Sequence, residues 1–528
     1  MKKLITHTQP AYGRMPIAIM LFTFLLVFSA INIKAERIVE VPSGSNLTNV
    51  IHGDTTATGE RIDDNTIYLL ERDGLYEVTS PLNLNVKLHL RGEEGPGFLP
   101  AVFPTPTSTG WWPQVILTRG DIILENIYVS NQNGNVNKWG GIQALGNGTR
   151  VEVRNSQFEW DRAAAILLNA DSITCIIEDT RVSKMGNRNV YQGNGRLVDT
   201  RSKYVDTLIV RNSTFYYLSD RVIRNMGGEI NYFEFNHNTG FHVQGRHGVF
   251  QLAKVHTAVI TNNLIINPIY GGNHPDTEEQ THPDSDNFYI ITIDEILPDQ
   301  HIEIRNNNFA HEPEIIAFWE TLDHVSEPEV LEPLVIQAIG QDAVADAWFE
   351  ELVTFSNVPP VPMDFLQSIY QNPEADTHPE NQDIDNVGIH AIDCTYSEDY
   401  ASFTAADRGF PLGDLNHYPE LKALWLTGGS VSTADLQLPQ KQLVKVYPNP
   451  VHNHATFAFE LTKPMSVQIS VFNLNGQKVA EVFNGTGTQG LNTIQWSPSE
   501  SGKLAPGMYI YRFQSAEFSV SNSMVITR

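Results

Sequence analysis

The stretch Leu208-Ile209-Val210-Arg211-Asn212 shows the pattern that decides the fold: apolar residues alternate with other residues, and an asparagine follows. The same pattern, ending in Asn or another polar residue, occurs seven times, at intervals of 24 to 43 residues. The copies begin at Ile122, Val151, Cys175, Leu208, Phe233, Val259 and Ile302. An interval of this size is typical of one coil of a solenoid with insertions.

Alternation at a period of two turns one face of each strand toward the interior. Asparagine at the end of a strand suits a left-handed backbone corner and a stacked ladder of amides. We therefore predict a right-handed parallel β-helix for residues 36–310. Its structural corner residues include Asn126, Asn155, Asn212 and Asn306. Leucine-rich repeats would need Leu at fixed positions, and propeller blades would need four strands in about 40 residues, so neither fits.

Residues 311–425 lack the repeat, and apolar residues between Glu312 and Phe355 follow helical spacing. We expect this helical and irregular segment to pack on the β-helix or to cap its open end. The predicted fold class is therefore all-β. It comprises a right-handed parallel β-helix with a helical insertion, followed by a small C-terminal antiparallel β-sandwich.

Residues 443–528 predict that β-sandwich, because short alternating strands are separated by turn signals such as Asn475-Gly476. Residues 426–442 are polar and predict a linker. Three motifs follow in order: Val446-Tyr447-Pro448-Asn449-Pro450, Asn473-Leu474-Asn475-Gly476-Gln477-Lys478-Val479 and Pro506-Gly507-Met508-Tyr509. They resemble the type A sorting domain of the Bacteroidota type IX secretion system. The resemblance implies contact with that machinery, export across the outer membrane, removal of this domain, and release or attachment at the cell surface.

The N-terminus predicts a secretory signal peptide over residues 1–35, because basic residues precede the apolar run from Met15 to Phe28. That run of about 14 residues is shorter than the roughly 20 needed to cross a bilayer. We therefore expect a secreted or cell-surface protein that passes through the periplasm and the outer membrane. No membrane-spanning segment is expected in the mature protein, which we expect to be a monomer.

The composition excludes some partners and some cofactors. With 61 acidic and 35 basic residues, the net charge is −26, which argues against general binding of nucleic acid or of anionic membranes. The two cysteines, Cys175 and Cys394, are too few for a disulfide framework or a cysteine zinc site. Any anionic ligand must therefore meet a local basic patch.

One such patch is predicted from a second column of residues, found 12 or 13 positions before successive repeats. Its members are Trp139, Arg162, Arg196, Arg221 and Arg246. Equivalent positions of a parallel solenoid stack at about 4.8 Å, so the guanidinium groups would form a row. Guanidinium pairs bidentately with planar anions, which predicts a binding strip for an acidic, uronic-acid-containing polysaccharide. The alternative is a surface ion-pair ladder, in which Asp161, Asp199 and Asp220 neutralise the row.

Cleavage of such a polymer by β-elimination needs a cation on the carboxylate, a base and an acid. The candidate catalytic residues, with Arg224 preferred, are Arg224, Arg201, Lys203, Lys254 and His256. The Arg-x-Pro-x-x-Arg context of pectate and pectin lyases is absent, and Arg246-His247-Gly248 only superficially resembles the polygalacturonase motif. Two hypotheses stay open: a polysaccharide lyase, and a non-catalytic surface protein that binds glycans or mediates adhesion.

The phrase Asp407-Arg408-Gly409-Phe410-Pro411-Leu412-Gly413-Asp414-Leu415-Asn416, together with the coils before it, resembles the pectin-lyase-fold proteins that Bacteroidota encode with polysaccharide-utilisation genes. The resemblance spans roughly residues 40–425 and implies a fold and a setting rather than a reaction.

A further acidic segment predicts a calcium site, the one cofactor that the sequence suggests. Its candidate oxygen ligands are Asp276, Glu278, Asp284 and Asp286. Pro275 and Pro283 equally favour a rigid, solvated excursion.

Overall fold

The computed structural model describes residues 36–105, 111–130, 137–186, 194–245, 248–272, 289–322, 325, 327–371, 392–431, 445–447, 451–461, 463–473, 478–501, 504–515 and 519–527. The predicted signal peptide lies outside the described residues. Among the described helices, none combines the length and the apolar character that crossing a bilayer requires.

Three long parallel sheets form a right-handed parallel β-helix, as predicted. Each coil places one strand in sheet I, the next in sheet II and the next in sheet III. The described strands of sheet I are β1 (Arg37–Val41), β2 (Thr66–Leu70), β5 (Leu88–Gly92), β8 (Ile122–Glu125), β11 (Arg150–Arg154), β14 (Ile173–Glu178), β17 (Tyr204–Arg211), β20 (Glu229–Asn236), β23 (Lys254–Thr261) and β26 (His301–Arg305).

Sheets II and III run beside it. Sheet II holds β3 (Leu75–Val78), β6 (Ala101–Pro104), β9 (Tyr128–Ser130), β12 (Gln157–Glu159), β15 (Arg181–Met185), β18 (Thr214–Leu218), β21 (Thr239–Val243), β24 (Leu264–Pro268), β27 (Asn307–Ala310) and β29 (Trp348–Phe349). Sheet III holds β4 (Leu82–Leu84), β7 (Trp111–Thr118), β10 (Asn137–Ala144), β13 (Ala164–Leu168), β16 (Arg196–Asp199), β19 (Ile223–Arg224), β22 (Phe250–Gln251), β25 (Tyr289–Thr292) and β28 (Glu329–Leu331).

All seven sequence repeats lie in sheet I. Their first apolar residues are in register from Ile122 through Phe233, as predicted. The sixth copy is shifted by one residue: Phe233 pairs with Ala258, and Ala258 pairs with Ile302. Because side chains alternate between faces, this shift places Ala258 in the core and leaves Val259 on the outer face.

The corner between sheets I and II has left-handed backbone in every repeat, which confirms the predicted role of asparagine. The φ angles are 59° at Asn126, 44° at Asn155, 56° at Asp179, 44° at Asn212, 54° at His237, 62° at Asn262 and 53° at Asn306. The amide ladder is also present, since Nδ2 of Asn155 donates to Oδ1 of Asn126 at 2.7 Å. Polar Asn and Asp tolerate this conformation better than most residues.

A second ladder, which the sequence analysis did not predict, lies one residue further along. It consists of Asn238, Asn263 and Asn307, all fully buried. Nδ2 of Asn238 donates to Oδ1 of Asn263 at 3.2 Å, and Nδ2 of Asn263 donates to Oδ1 of Asn307 at 2.9 Å. These side chains also serve backbone groups, because Asn263 Nδ2 donates to the carbonyl oxygen of Phe235. The inner ladder therefore satisfies polar groups that no water reaches.

Short helices close both ends of the β-helix core. At one end, α1 (Leu47–Gly53) buries Leu47 and Ile51 in the core. At the other end, α3 (Pro333–Ile339) and α4 (Val344–Ala347) contact β26 and contribute Val335 and Ala347. The helical spacing predicted after Glu312 is thus confirmed. The repeat nevertheless continues past residue 310, because β28 pairs with β25 and β29 pairs with β27.

Two further helices, α2 (Pro313–Trp319) and α5 (Met363–Gln371), form a separate apolar cluster beside the coils. Helix α6 spans Pro419–Leu426. The described 3-10 helices span Gln341–Ala343, Ala401–Phe403, Asp407–Gly409, Leu415–His417 and Pro498–Ser501.

The chain divides into two compact units. The first holds the β-helix together with residues 412–417, and the second holds residues 401–411 and those from 418 onward. Much of the predicted linker lies outside the described residues.

The C-terminal part contains two small antiparallel sheets, as predicted. One holds β30 (Lys445–Tyr447), β31 (Ala455–Leu461) and β34 (Gly490–Trp496). The other holds β32 (Met465–Phe472), β33 (Lys478–Gly487), β35 (Gly507–Ser515) and β36 (Ser519–Ile526). Alternate residues of these strands, such as Phe457, Val467 and Phe513, form a common core. Of these strands, β30 and β33 were not predicted from the sequence.

Candidate functional site

The predicted column of arginines forms only in part. Val198 is in register with Ile223, so Arg196 and Arg221, each two residues earlier, occupy equivalent positions on sheet III. Arg196 pairs with Ala164, however, which places Arg162 two residues away from the column. The cause is a β-bulge between Ile173 and Thr174 in the pairing of β14 with β17, where β17 has one extra residue. Counting back from sheet I therefore gives the wrong position in sheet III.

The other two members of the column differ as well. Gly140 is in register with Ala164, so Trp139 lies at the level of Ala163, one residue after Arg162. Ile223 is in register with Phe250, which places Gly248 rather than Arg246 at the level of Arg221. Arg246 itself lies outside the described residues. A single row of four arginines is therefore not formed, and the substrate-binding role of these residues stays a prediction.

Arg196 and Arg221 are buried rather than exposed, at 5% and 4% of their free surface. Nε of Arg196 donates to Asp220 at 2.7 Å, and Nη1 of Arg196 donates to Asp199 at 3.0 Å. Nε of Arg221 donates to Asp220 at 3.1 Å. Both carboxylates are fully buried. The two aspartates therefore pair with the two arginines, but as a buried network whose disruption is costly rather than as a weak surface ladder.

Two of the predicted catalytic residues join this network. Nη1 of Arg224 donates to both carboxylate oxygens of Asp199, at 3.1 and 3.2 Å. Arg201, which is exposed, donates its backbone N–H to Asp199 at 2.8 Å and brings its guanidinium within 3.6 Å. We call the four guanidinium groups of Arg196, Arg201, Arg221 and Arg224, together with Asp199 and Asp220, the arginine cluster.

The arginine cluster contains four cations and two carboxylates. Burial lowers the pKa of Arg221, although the carboxylate of Asp220 opposes this effect. Guanidinium nevertheless stays protonated in proteins. Near its outer edge, Nε of Arg224 is buried without a hydrogen-bond partner among the described residues. The cluster is thus a local positive centre in a chain whose net charge is −26.

The remaining predicted catalytic residues are held elsewhere. Lys254 begins β23 and pairs with Glu295 at 2.8 Å, which raises its pKa. His256, on the same strand, contacts Glu229 through Nε2 at 2.8 Å. Lys203 lies in the turn that leads into β17, where its N–H donates to the carbonyl oxygen of Thr200. The structure therefore brings Arg201 and Arg224 together, while Lys254 and His256 pair with carboxylates on sheet I.

The predicted calcium ligands Asp276, Glu278, Asp284 and Asp286 lie outside the described residues. Within the described part of the chain, no group of three or more acidic, histidine or cysteine side chains could hold a metal ion. Cys175 and Cys394 are both buried thiols.

A second polar site lies where sheets I and II meet, and we call it the polar cleft. It is a cavity of about 200 Å³. Its floor is formed by Gln157 on β12 and Arg181 on β15, which are in register. One wall comprises Arg72 with residues 97–99, and the facing wall comprises Asp414 and Asn416. No signal in the sequence alone joins these distant segments.

Residues 412–417 reach the polar cleft because they dock on sheet II. The Gly413 N–H donates to the carbonyl oxygen of Asn262, and the Asp414 N–H donates to Thr239 Oγ1 at 2.8 Å. Gly413 has a φ of 90°, and a Cβ there would lie 2.4 Å from Thr239 Oγ1. Glycine is therefore required for this close approach.

A chain of hydrogen bonds fixes the Asp414 side chain. The backbone N–H of Cys394 donates to Nδ1 of His417, so the neutral ring carries its proton on Nε2. Nε2 lies 3.2 Å from Thr214 Oγ1, which donates to Asp414 at 2.7 Å. Burial raises the pKa of Asp414 to about 6 and lowers the pKa of His417 to about 4.

We expect Asp414→Asn to make the unfolding free energy less sensitive to pH between about 4 and 7. The carboxyl has a raised pKa, so its stabilising effect is complete below the unfolded value of 3.8 and is lost as the pH rises through about 6. Two units correspond to roughly 3 kcal/mol. Urea unfolding of both proteins at several pH values measures the difference, and His417 titrates in both. Parallel pH profiles would show that Asp414 is not the titrating group.

The comparisons with known proteins identify the C-terminal domain. Residues 445–527 match the family model described as the secretion system C-terminal sorting domain. This domain marks proteins that type IX secretion exports to the cell surface or the medium, and it implies interaction with that machinery. The match supports a secreted Bacteroidota protein. No curated protein and no solved structure matches the chain. The resemblance to pectin-lyase-fold proteins therefore stays a prediction.

Proposed function

We propose that this exported β-helix protein binds an acidic, uronic-acid-containing polysaccharide at the arginine cluster on sheet III. The observation that carries the proposal is the excess of guanidinium over carboxylate groups there, against the strongly acidic background of the chain. Arg196 and Arg221 act from below, because they are buried and engaged with Asp199 and Asp220. Arg201 and Arg224 supply the direct contacts, since both reach the outer edge of the cluster.

Arg224 suits a carboxylate ligand for a geometric reason. Its Nη1 is held by Asp199, which fixes the plane of the guanidinium without neutralising the whole cluster. A fixed guanidinium loses little conformational entropy when an anion binds, and its fork pairs with both oxygens of a planar carboxylate. An extended acidic polymer could then run along sheet III, parallel to the axis on which the coils stack.

Binding without cleavage is the activity we favour. A lyase needs a base and an acid beside the cation, and the two candidate residues of that kind, Lys254 and His256, pair with Glu295 and Glu229 on sheet I. Only the two arginines of the predicted catalytic set belong to the cluster. The second hypothesis, β-elimination, has a direct test: ultraviolet absorbance of unsaturated ends after incubation with polygalacturonate or alginate. A rise in absorbance would establish a lyase.

We expect the double variant Arg201→Ala/Arg224→Ala to bind polygalacturonate or alginate at least ten-fold more weakly, because each charged hydrogen bond contributes about 1.5–3 kcal/mol. Isothermal titration calorimetry at fixed ionic strength measures the change. Since Arg224 also supports Asp199, the thermal midpoint should be recorded for each protein. Arg224→Lys, which keeps the charge and loses the fork, should show an intermediate affinity.

The matched control is Arg150→Ala/Arg305→Ala on sheet I. It removes the same charge from similarly exposed arginines that pair with Glu152 and Glu303. This variant should bind almost as well as the unaltered protein. Equal weakening in both double variants would mean a non-specific charge effect, and absence of binding to either polymer would refute the proposal.

A further inference from the structure

The polar cleft contains a buried acceptor that awaits a donor. Gln157 is only 8% exposed, and its Oε1 accepts no hydrogen bond from the described residues. Leaving such a group unsatisfied costs about 1–3 kcal/mol, so native proteins usually fill the position with water or a ligand. Because Gln157 lies on the floor of the cleft, a ligand that enters it would offer a donor to this oxygen.

The lining favours a neutral, many-hydroxyl ligand over an ion. Two guanidinium groups, of Arg72 and Arg181, face two carboxyl groups, of Asp179 and Asp414, so the charges balance. Arg72 is already engaged, since it donates to the carbonyl oxygens of Glu93 and Gly97. Three amide side chains add paired donors and acceptors: Asn155, Gln157 and Asn416. Planar groups of this kind match the adjacent hydroxyls of a sugar ring.

Size and shape point the same way. The volume of about 200 Å³ is below the roughly 300–1,000 Å³ of pockets for drug-sized ligands, which suits a single ring. Phe98 lies at the edge of the cleft and is 58% exposed. An exposed aromatic ring beside a polar cleft offers a surface on which the C–H face of a sugar can pack.

We propose that the polar cleft is a second carbohydrate site, which holds one neutral sugar residue between sheet II and residues 412–417. Gln157 accepts a hydrogen bond from a ring hydroxyl, Asp414 and Asn416 bind neighbouring hydroxyls, and Phe98 covers one face of the ring. This site is independent of the arginine cluster, which lies on sheet III and selects anions.

The test is titration of the full-length protein with a panel of neutral monosaccharides: glucose, galactose, mannose, xylose, arabinose and rhamnose. Saturation-transfer NMR and calorimetry should find at least one with a dissociation constant on the order of 1 mM. Gln157→Leu, which keeps the side-chain volume and removes the acceptor, should weaken that binding at least ten-fold. Phe98→Ala, at an exposed position, should weaken it without a change in thermal midpoint.

The matched control is Gln143→Leu, the same substitution on β10 of sheet III, which should leave binding of the neutral sugar unchanged. Arg201→Ala/Arg224→Ala should also leave it unchanged, so failure of the proposed polyuronate site and failure of this one are distinguishable. The proposal is overturned if no sugar of the panel binds at about 20 mM, or if Gln157→Leu and Phe98→Ala bind as the unaltered protein does. Binding of galacturonate alone at this cleft would also overturn it.

Discussion

Asp199→Asn should lower the free energy of unfolding by about 4 kcal/mol, because it removes the carboxylate that a buried network needs. Asp199 is fully buried and accepts hydrogen bonds from Arg196 and Arg224. The asparagine has nearly the same volume, so the loss would come from uncompensated guanidinium charge rather than from a cavity. Urea is the suitable denaturant, since guanidinium chloride would screen the charges under study.

The control for this variant is Glu303→Gln. It removes a carboxylate of the same charge from Arg305, but that pair is about one-third exposed on each side. An exposed pair contributes only about 0–1 kcal/mol, so unfolding should hardly change. If Asp199→Asn cost no more than Glu303→Gln, the arginine cluster would be solvated, and the argument that its residual charge attracts an anion would lose its basis.

Sheet I could be predicted from the sequence because its outer residues face solvent and its inner residues face the core. That contrast gives the period-two pattern at Val151, Cys175 and Leu208, and each copy ends at a corner where a left-handed residue is required. The same contrast is weak in sheet III. There Ala163, Ala164 and Leu167 are all buried, so the alternation disappears and the register cannot be read from hydrophobicity.

The arginine column shows how such a weak signal misleads. Arg196 and Arg221 share a position because the turns and strands after them have equal lengths, whereas the bulge in β17 separates Arg162 from both. A bulge adds one residue without a characteristic sequence. Burial of the arginines was equally hidden, because Arg is usually exposed and only the fold shows that carboxylates lie beside it.

The polar cleft lay beyond sequence reasoning for a different reason. Thr214 and Asp414 are 200 residues apart, yet their side chains share a hydrogen bond. One sequence cannot show such a pairing, although the run Gly413-Asp414-Leu415-Asn416 contains the glycine that allows the contact. Its resemblance to other β-helix proteins pointed to the segment but not to its place on sheet II.

The inner asparagine ladder leads to the second large effect: Asn263→Leu should lower the free energy of unfolding by about 4 kcal/mol. Asn263 Oδ1 accepts from the Asn238 N–H at 2.9 Å, and Nδ2 donates to the Phe235 carbonyl oxygen at 2.9 Å. Leucine leaves both backbone groups buried without partners, at about 1–3 kcal/mol each. Urea unfolding measures the loss, and amide hydrogen exchange should show earlier opening at Asn238. The same substitution at Asn236, on the outer face of sheet I, should cost less than about 1 kcal/mol. Equal losses at both positions would mean that the ladder stabilises the coils through packing rather than through its hydrogen bonds.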